Sequence, residues 1–222
     1  MARQLITESH VRELLKKGSR QVSASRDAII TSLAADFAAE HKMTIVRADA
    51  SAPPGKADPS PTQLGSPSAA PGGGIVAFGA DHGGFQLKEV LMKQAEKLGY
   101  AVLDLGTSSE EPCDYPDYAY AVARAVSVGK AWRGVMVDGA GIGSCVVANK
   151  VPGVRAACCS NELVARNARE HNDTNVLTLG SRVSGVEVCR EVMRIWLETP
   201  FAGGRHKGRI DKITDIERRY LK

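Results

Sequence analysis

GVMVDGAGIGSCVVANKVPGVRA, residues 134–156, runs from an apolar strand through a glycine-rich turn into a helix that stops at a proline. Gly139, Gly141 and Gly143 remove side chains where strand meets helix. Backbone N–H groups and the positive helix end can then face a phosphate or a developing oxyanion. Asp138 opens the turn, at the carboxyl end of the strand, where α/β sheets place their chemistry.

Outward from this stretch the pattern repeats. IVAFGAD (75–81) is a buried strand, GGFQLKEVLMKQAEKLGY (83–100) an amphipathic helix with a glycine stop, and AVLDLGT (101–107) a second strand. DYPDYAYAVARAVSVGK (114–130) gives another helix before the 134–156 stretch. After it come VRAACCS (154–160), a helix through about His171, the strand NVLTLGS (175–181) and the helix VEVCREVMRIWLE (186–198). Strands alternating with helices at this spacing predict an α/β fold, a three-layer Rossmann-like parallel sheet with helices on both faces. The last stretch, HKGRIDKITDIERRYL (206–221), reads as a basic amphipathic helix whose Ile210, Ile213 and Ile216 pack on the body or on a second subunit.

Composition shifts sharply once. PPGKADPSPTQLGSPSAAPGGG (53–74) holds six of the ten prolines and almost no large apolar residue, which predicts a semi-extended linker. The expected organisation is a small helical N-terminal extension (1–52), the linker (53–74) and an α/β domain (75–222). In the extension, Thr7 is the expected N-cap of a helix carrying Val11, Leu14 and Leu15 and stopped by Gly18. A second helix is predicted from about Ile29 to His41, with Ile29, Ile30, Leu33, Phe37 and Ala38 as its apolar face, followed by a short strand in MTIVRA (43–48).

The chain has 222 residues, 43% hydrophobic and 24% charged, with a formal charge of +4. That charge is too weak and dispersed for nucleic acid, no apolar run is long enough to cross a membrane, and the N-terminus lacks a signal core. A cytoplasmic protein is expected. Five cysteines (113, 145, 158, 159 and 189) without CxxC spacing fit reduced thiols better than disulfides or zinc.

GADHGGFQLK (79–88), DYPDY (114–118), DGAGIGSCVVANK (138–150), HNDTN (171–175) and GGRHKGR (203–209) occur in this order. Together they resemble the type B ribose-5-phosphate isomerases, the family that includes the galactose-6-phosphate isomerase subunits. The resemblance implies an aldose–ketose isomerase of a phosphorylated sugar, most simply ribose 5-phosphate to ribulose 5-phosphate through an enediolate. It implies no cofactor and no metal, and a homodimer whose pockets lie at the subunit interface; pairing into tetramers stays open.

By that resemblance His171 is the ring-opening acid/base, while Asp81 and His82 hold the sugar. Arg205 and Arg209 bind phosphate with Arg182 assisting, and the N–H groups of Gly139 to Gly143 form the enediolate hole. Tyr115, Asn149 and Asn172 complete the substrate-binding set. Imidazole suits ring opening because it titrates near neutrality, and the arginine fork matches phosphate oxygens. The chain departs from the family at the base: Asp138, the expected catalytic base, stands where many members carry cysteine, Ala140 where they carry a Thr or Ser hydroxyl, and Ser144 where a second branch carries glutamate. Cys145 is a substitute thiolate only if its side chain turns toward the pocket. The alternatives are a diverged enzyme acting on another sugar phosphate, or a catalytically silent sugar-phosphate-binding or scaffold subunit. The tethered amphipathic extension is similar to encapsulation peptides of bacterial microcompartments, although two helices exceed a minimal peptide of that kind. It implies a shell or core partner for residues 1–52.

Overall fold

The computed structural model describes residues 5–26, 28–47 and 74–220. The chain divides into two units, Met1–Thr62 and Gln63–Lys222. Apart from Gly74, the predicted linker lies outside the described residues.

In the first unit a strand–helix–strand sequence occurs twice: β1 (Leu5–Ile6), α1 (Glu8–Lys16), β2 (Gln21–Ala24), then β3 (Ile29–Ile30), α2 (Ser32–Glu40), β4 (Thr44–Arg47). Like pairs with like, β1 parallel to β3 with Leu5 beside Ile29, and β2 parallel to β4 with Gln21 beside Thr44. Both predicted helices are present, but Ile29 and Ile30 belong to β3 and not to a helix face. Thr31 makes the break. Its N–H donates to Ile6 O at 2.9 Å, and its Oγ1 accepts from Ala34 N at 3.2 Å, so α2 starts one residue later. Thr7 precedes α1 in extended geometry without a side-chain cap. Ile6, Val11, Val22, Ala34, Phe37 and Met43 form a core internal to this unit.

The second unit carries β5 (Ile75–Ala80), α3 (Phe85–Lys97), β6 (Ala101–Asp104), α4 (Tyr115–Ser127), β7 (Arg133–Asp138) and α5 (Ile142–Ala148). It continues with β8 (Ala156–Cys158), α6 (Glu162–Asn172), β9 (Val176–Gly180), α7 (Val186–Glu198), a 3-10 turn (Gly204–His206) and α8 (Lys207–Tyr220). All five strands are parallel in the order β6-β5-β7-β9-β8. One face is covered by α3, α6 and α7 through Leu91, Ala165, Met193 and Trp196, the other by α4 and α5 through Val122, Val126 and Ala148. Every residue of β7 is buried, as a central strand between two helical layers requires. The chain leaves β5 for β6 on one side and returns to β7 on the other, so the crevice at the carboxyl ends of β5 and β7 is the switch point where such sheets bind ligands. Ile210 is buried at 9% exposure, whereas Ile213 and Ile216 stay 43% and 57% exposed along α8.

Arg133 fastens this scaffold. Its Nη1 donates to Trp196 O at 2.6 Å and Leu197 O at 2.7 Å, satisfying the last turn of α7, and its guanidinium lies 4.0 Å over the Trp132 ring. Burial, with a smaller push from Arg169, lowers its pKa to about 9. Arg133→Ala strands two buried carbonyls and is expected to cost about 3 kcal/mol or more in urea unfolding; a loss below about 1 kcal/mol would contradict this account. Lysine cannot restore the fork or the stack.

Candidate active site

Three loops meet at the carboxyl edge of the sheet. Asp81 follows β5 and donates its N–H to Val137 O at 3.2 Å; Ser181 follows β9 and donates its N–H to Asp138 O at 2.8 Å and its hydroxyl to Gly83 O at 2.7 Å. Arg182 donates its N–H to Gly139 O at 3.1 Å, which places this exposed side chain beside the turn. Gly141 has φ +79°, and a Cβ there would stand 2.8 Å from Cys158 Sγ and 3.0 Å from Gly180 N, so only glycine fits. A Cβ on Gly143 would stand 2.7 Å from the Tyr115 ring, which packs against α5.

Asp138 is 5% exposed, and its carboxylate turns into the turn that follows it. Oδ1 accepts from Ala140 N at 2.8 Å and from Gly141 N; Oδ2 accepts from Ser144 N at 3.1 Å and from Ser144 Oγ at 2.5 Å. The N–H groups of residues 140 and 141, expected to face a substrate oxyanion, are therefore bonded to a protein carboxylate. Asp81 is differently placed. Its Oδ1 accepts from Gly84 N at 2.9 Å. Burial pushes its carboxyl above the ordinary range, with the Asp138 charge adding to that push while the Gly84 N–H and His82 oppose it. His82 Nδ1 is anchored on the Cys113 backbone, 3.2 Å from its oxygen and 3.3 Å from its nitrogen.

Cys145 faces away from the turn: its thiol donates to Ala156 O at 3.5 Å, and burial raises its pKa, which removes it as a substitute base. Asn149, expected to touch substrate, bridges α5 to β8 instead. Its Nδ2 donates to Cys145 O at 2.9 Å and Ala156 O at 3.0 Å, and its Oδ1 accepts from Ala156 N at 2.9 Å.

A second group forms around His171, in the last turn of α6. Its ring stacks on His206, centroids 4.1 Å apart and planes 7° from parallel, and its Nδ1 lies 2.8 Å from Asn167 Nδ2, one helical turn back. Arg205 Nε is 3.4 Å from His206 Nε2, and exposed Arg209 follows one turn later. Asn172 is exposed; its carbonyl accepts from Arg155 Nε at 3.1 Å. Arg155 and Arg169 both grip Asp173, which caps α6 at φ +44°, so much of the HNDTN run serves to fix the end of the helix that presents His171.

Sequence reasoning missed His206 and Asn167. Their signals were the imidazole between two arginines and the i, i+4 spacing to His171. His206 is 6% exposed; burial, then the neighbouring His171, Arg205 and Arg209, pushes its pKa below the usual histidine value. A depressed value means stability is intact above the ordinary pKa of about 6.5 and is lost as pH falls through the window beneath it. The melting temperature is expected to fall between about pH 7 and pH 5.5, and His206→Asn should flatten part of that fall. A fall of the same size in the variant would remove His206 as its source.

None of these contacts joins the turn group (Asp81, His82, Tyr115, Asp138, residues 139–143, Arg182) to the His171 group (Asn172, Arg205, Arg209). Among the described residues no cluster of three or more His, Cys, Asp or Glu could hold a metal ion. A groove of about 300 Å³ between α6 and α7, lined by Arg166, Glu170, Arg194 and Glu198, contains none of the expected site residues.

Residues 76–213 match the family model described as Ribose/Galactose Isomerase. The chain belongs to this family. It is 45% identical over 144 residues to "Ribose-5-phosphate isomerase B" of Escherichia coli, 65% of this chain and 97% of that protein. It is 40% identical over 140 residues to "D-erythrulose-4-phosphate isomerase" of Pectobacterium atrosepticum, 62% of this chain and 91% of that protein. The solved structure of Clostridium thermocellum ribose-5-phosphate isomerase B superimposes with a TM-score of 0.65 at 46% identity, covering 66% of this chain and 99% of that one. The chain is thus a sugar-phosphate isomerase, and its first unit lies outside the matched residues.

Proposed function

We propose that this isomerase interconverts ribose 5-phosphate and ribulose 5-phosphate through an enediolate. The observation that carries the reading is 45% identity across 97% of the E. coli protein named for that substrate. Residue chemistry supports it. His171 opens the furanose ring, its imidazole held by the His206 stack and by Asn167. Arg205 and Arg209 hold the phosphate, with Arg182 at the turn assisting, and His82, Tyr115 and Asn172 line the sugar. The proton between C1 and C2 is moved by a carboxylate at the switch point, where Asp138, in the usual base position, and Asp81 stand at the ends of adjacent strands.

The turn group and the His171 group complete one pocket from two copies of the chain. Exposed Ile142, Val146, Ile213 and Ile216 supply apolar surface for the homodimer. Mixing an Asp81→Asn chain with a His171→Gln chain should restore part of the turnover that each lacks alone; no restoration after subunit exchange contradicts the shared site. Residues 1–52 serve as a docking element toward a larger assembly of the microcompartment kind in the cytoplasm. Deleting residues 1–72 should leave a folded dimer with unchanged turnover, whereas aggregation would make the segment part of the core.

The substrate test is kcat/KM for ribose 5-phosphate beside erythrose 4-phosphate and a hexose 6-phosphate. The relative named for D-erythrulose 4-phosphate favours a second reading, another aldose phosphate, and preference for a sugar other than ribose 5-phosphate would establish it.

A further inference from the structure

Both candidate carboxylates sit at the switch point, but their hydrogen bonding differs. Asp138 meets four donors, three of them backbone N–H groups of its own turn and one the Ser144 hydroxyl. To accept a proton it would have to release donors whose positions are fixed by Gly141 and the start of α5. Protonated in place, it would set an O–H against an N–H. Among the described residues, the hydrogen bonds to Asp81's carboxylate come from its own loop: Gly84 N reaches Oδ1, and Gly83 contributes a weaker backbone contact. A capping duty toward Gly84 accounts for one of its oxygens. A Cβ built on Gly83 would stand 3.4 Å from Asp81 Oδ1 and 4.0 Å from Gly139 N, which sets the Asp81 carboxylate at the mouth of the same turn.

We propose that Asp81, and not Asp138, carries the proton between C1 and C2, while Asp138 is a positioning residue that closes the turn. This inference rests on the isomerase reading above. In the forward direction an Asp81 oxygen takes the proton from C2 of the open-chain aldose. The C2–H electron pair becomes the C1=C2 bond and the carbonyl pair moves onto O1. The Asp81 carboxylic acid then returns the proton to C1, while the O2 hydroxyl proton passes to O1, and the ketone forms at C2. The carboxylate with oxygens less fully occupied by fixed donors, and with its charge disfavoured by burial, is the one suited to the acid–base role. Burial, the largest influence on Asp81, and the Asp138 charge favour the acid, while the Gly84 and Gly83 amides and His82 oppose them. An oxygen of raised basicity is the better proton acceptor near neutral pH.

The test compares full-length Asp81→Asn and Asp138→Asn in kcat, KM and the pH profile of kcat/KM. Asp81→Asn is expected to lose about 10²–10⁴-fold in kcat, to keep KM within a few-fold, and to lose the acidic limb of the profile. Asp138→Asn is expected to keep that limb and to move it to lower pH, because a neighbouring negative charge is gone. The limb surviving in Asp81→Asn and vanishing in Asp138→Asn overturns the assignment. Titration of the carboxyl carbons by NMR in the unaltered chain covers the case of a variant that does not fold. Asp81 should titrate above the ordinary aspartate value of about 3.9, and a midpoint at or below it also overturns the proposal. If the wild type is inert on ribose 5-phosphate but converts another aldose phosphate, only the substrate reading fails and the variants are compared on that sugar.

Discussion

Gly84→Ala is expected to destabilise the isomerase unit by about 3 kcal/mol or more and to abolish turnover with it. A Cβ at this position would stand 2.2 Å from Val137 O, 2.6 Å from Val137 C and 3.0 Å from Val137 Cβ. These are atoms of the central strand, and β7 cannot retreat because it is paired with β5 on one side and β9 on the other. The loop cannot retreat freely either. Gly84 N donates to Asp81 Oδ1, and Gly84 O accepts from Lys88 N at 2.9 Å in the first turn of α3. Moving Gly84 outward therefore pulls Asp81 from its place and lifts α3 from the sheet. Gly208→Ala is the matched control, since a Cβ there meets nothing within 4 Å and alanine favours α8, a gain of up to about 1 kcal/mol. Urea unfolding of both variants decides the matter, and a Gly84→Ala loss within about 1 kcal/mol contradicts the packing described here.

Arg205→Ala and Arg209→Ala should each raise KM for the sugar phosphate by about 10- to 100-fold. A charge-assisted hydrogen bond is worth about 1.5–3 kcal/mol, and 1.4 kcal/mol is tenfold in affinity. The effect should fall chiefly on KM because the phosphate is remote from C1 and C2, so its contacts bind ground state and transition state alike. Arg205→Lys should recover only part of the loss, since a lysine cannot make the bidentate contact. Both residues are exposed, so neither substitution should move the unfolding midpoint by more than about 0.5 kcal/mol. A KM unchanged in the double variant would remove the phosphate from this end of α8.

The second unit was legible in the chain because its central strands, IVAFGA, RGVMVD and VLTLG, are short apolar runs that close on small residues or on Asp138. Helices between them at regular spacing leave few alternatives to a parallel sheet. The first unit was only half legible. Strands of two residues such as Leu5–Ile6 and Ile29–Ile30 carry no period, and Ile29, Ile30, Leu33 and Phe37 happen to satisfy helical spacing. The strand–helix–strand repeat emerges only when like strands pair.

At the candidate site, the residue types did not reveal the hydrogen bonds of its loops. That Ala140, Gly141 and Ser144 would bond to Asp138 depends on the left-handed turn at Gly141, which folds the donors back onto the residue that opens it. The resemblance put Asn149 in the substrate-binding set, yet the return of β8 beside α5 engages its amide in hydrogen bonds to Cys145 O, Ala156 O and Ala156 N. His206 was hidden because its partner comes from α6, a contact that no local spacing records.

The most direct test of the account is conversion of ribose 5-phosphate by the unaltered, purified chain in deuterium oxide, followed by proton NMR. Appearance of ribulose 5-phosphate carrying deuterium at C1 is the predicted result, because an enediolate formed at a carboxylate exchanges its proton with solvent. Absence of any ketose, with the chain folded and at high enzyme concentration, would contradict the assignment of this substrate.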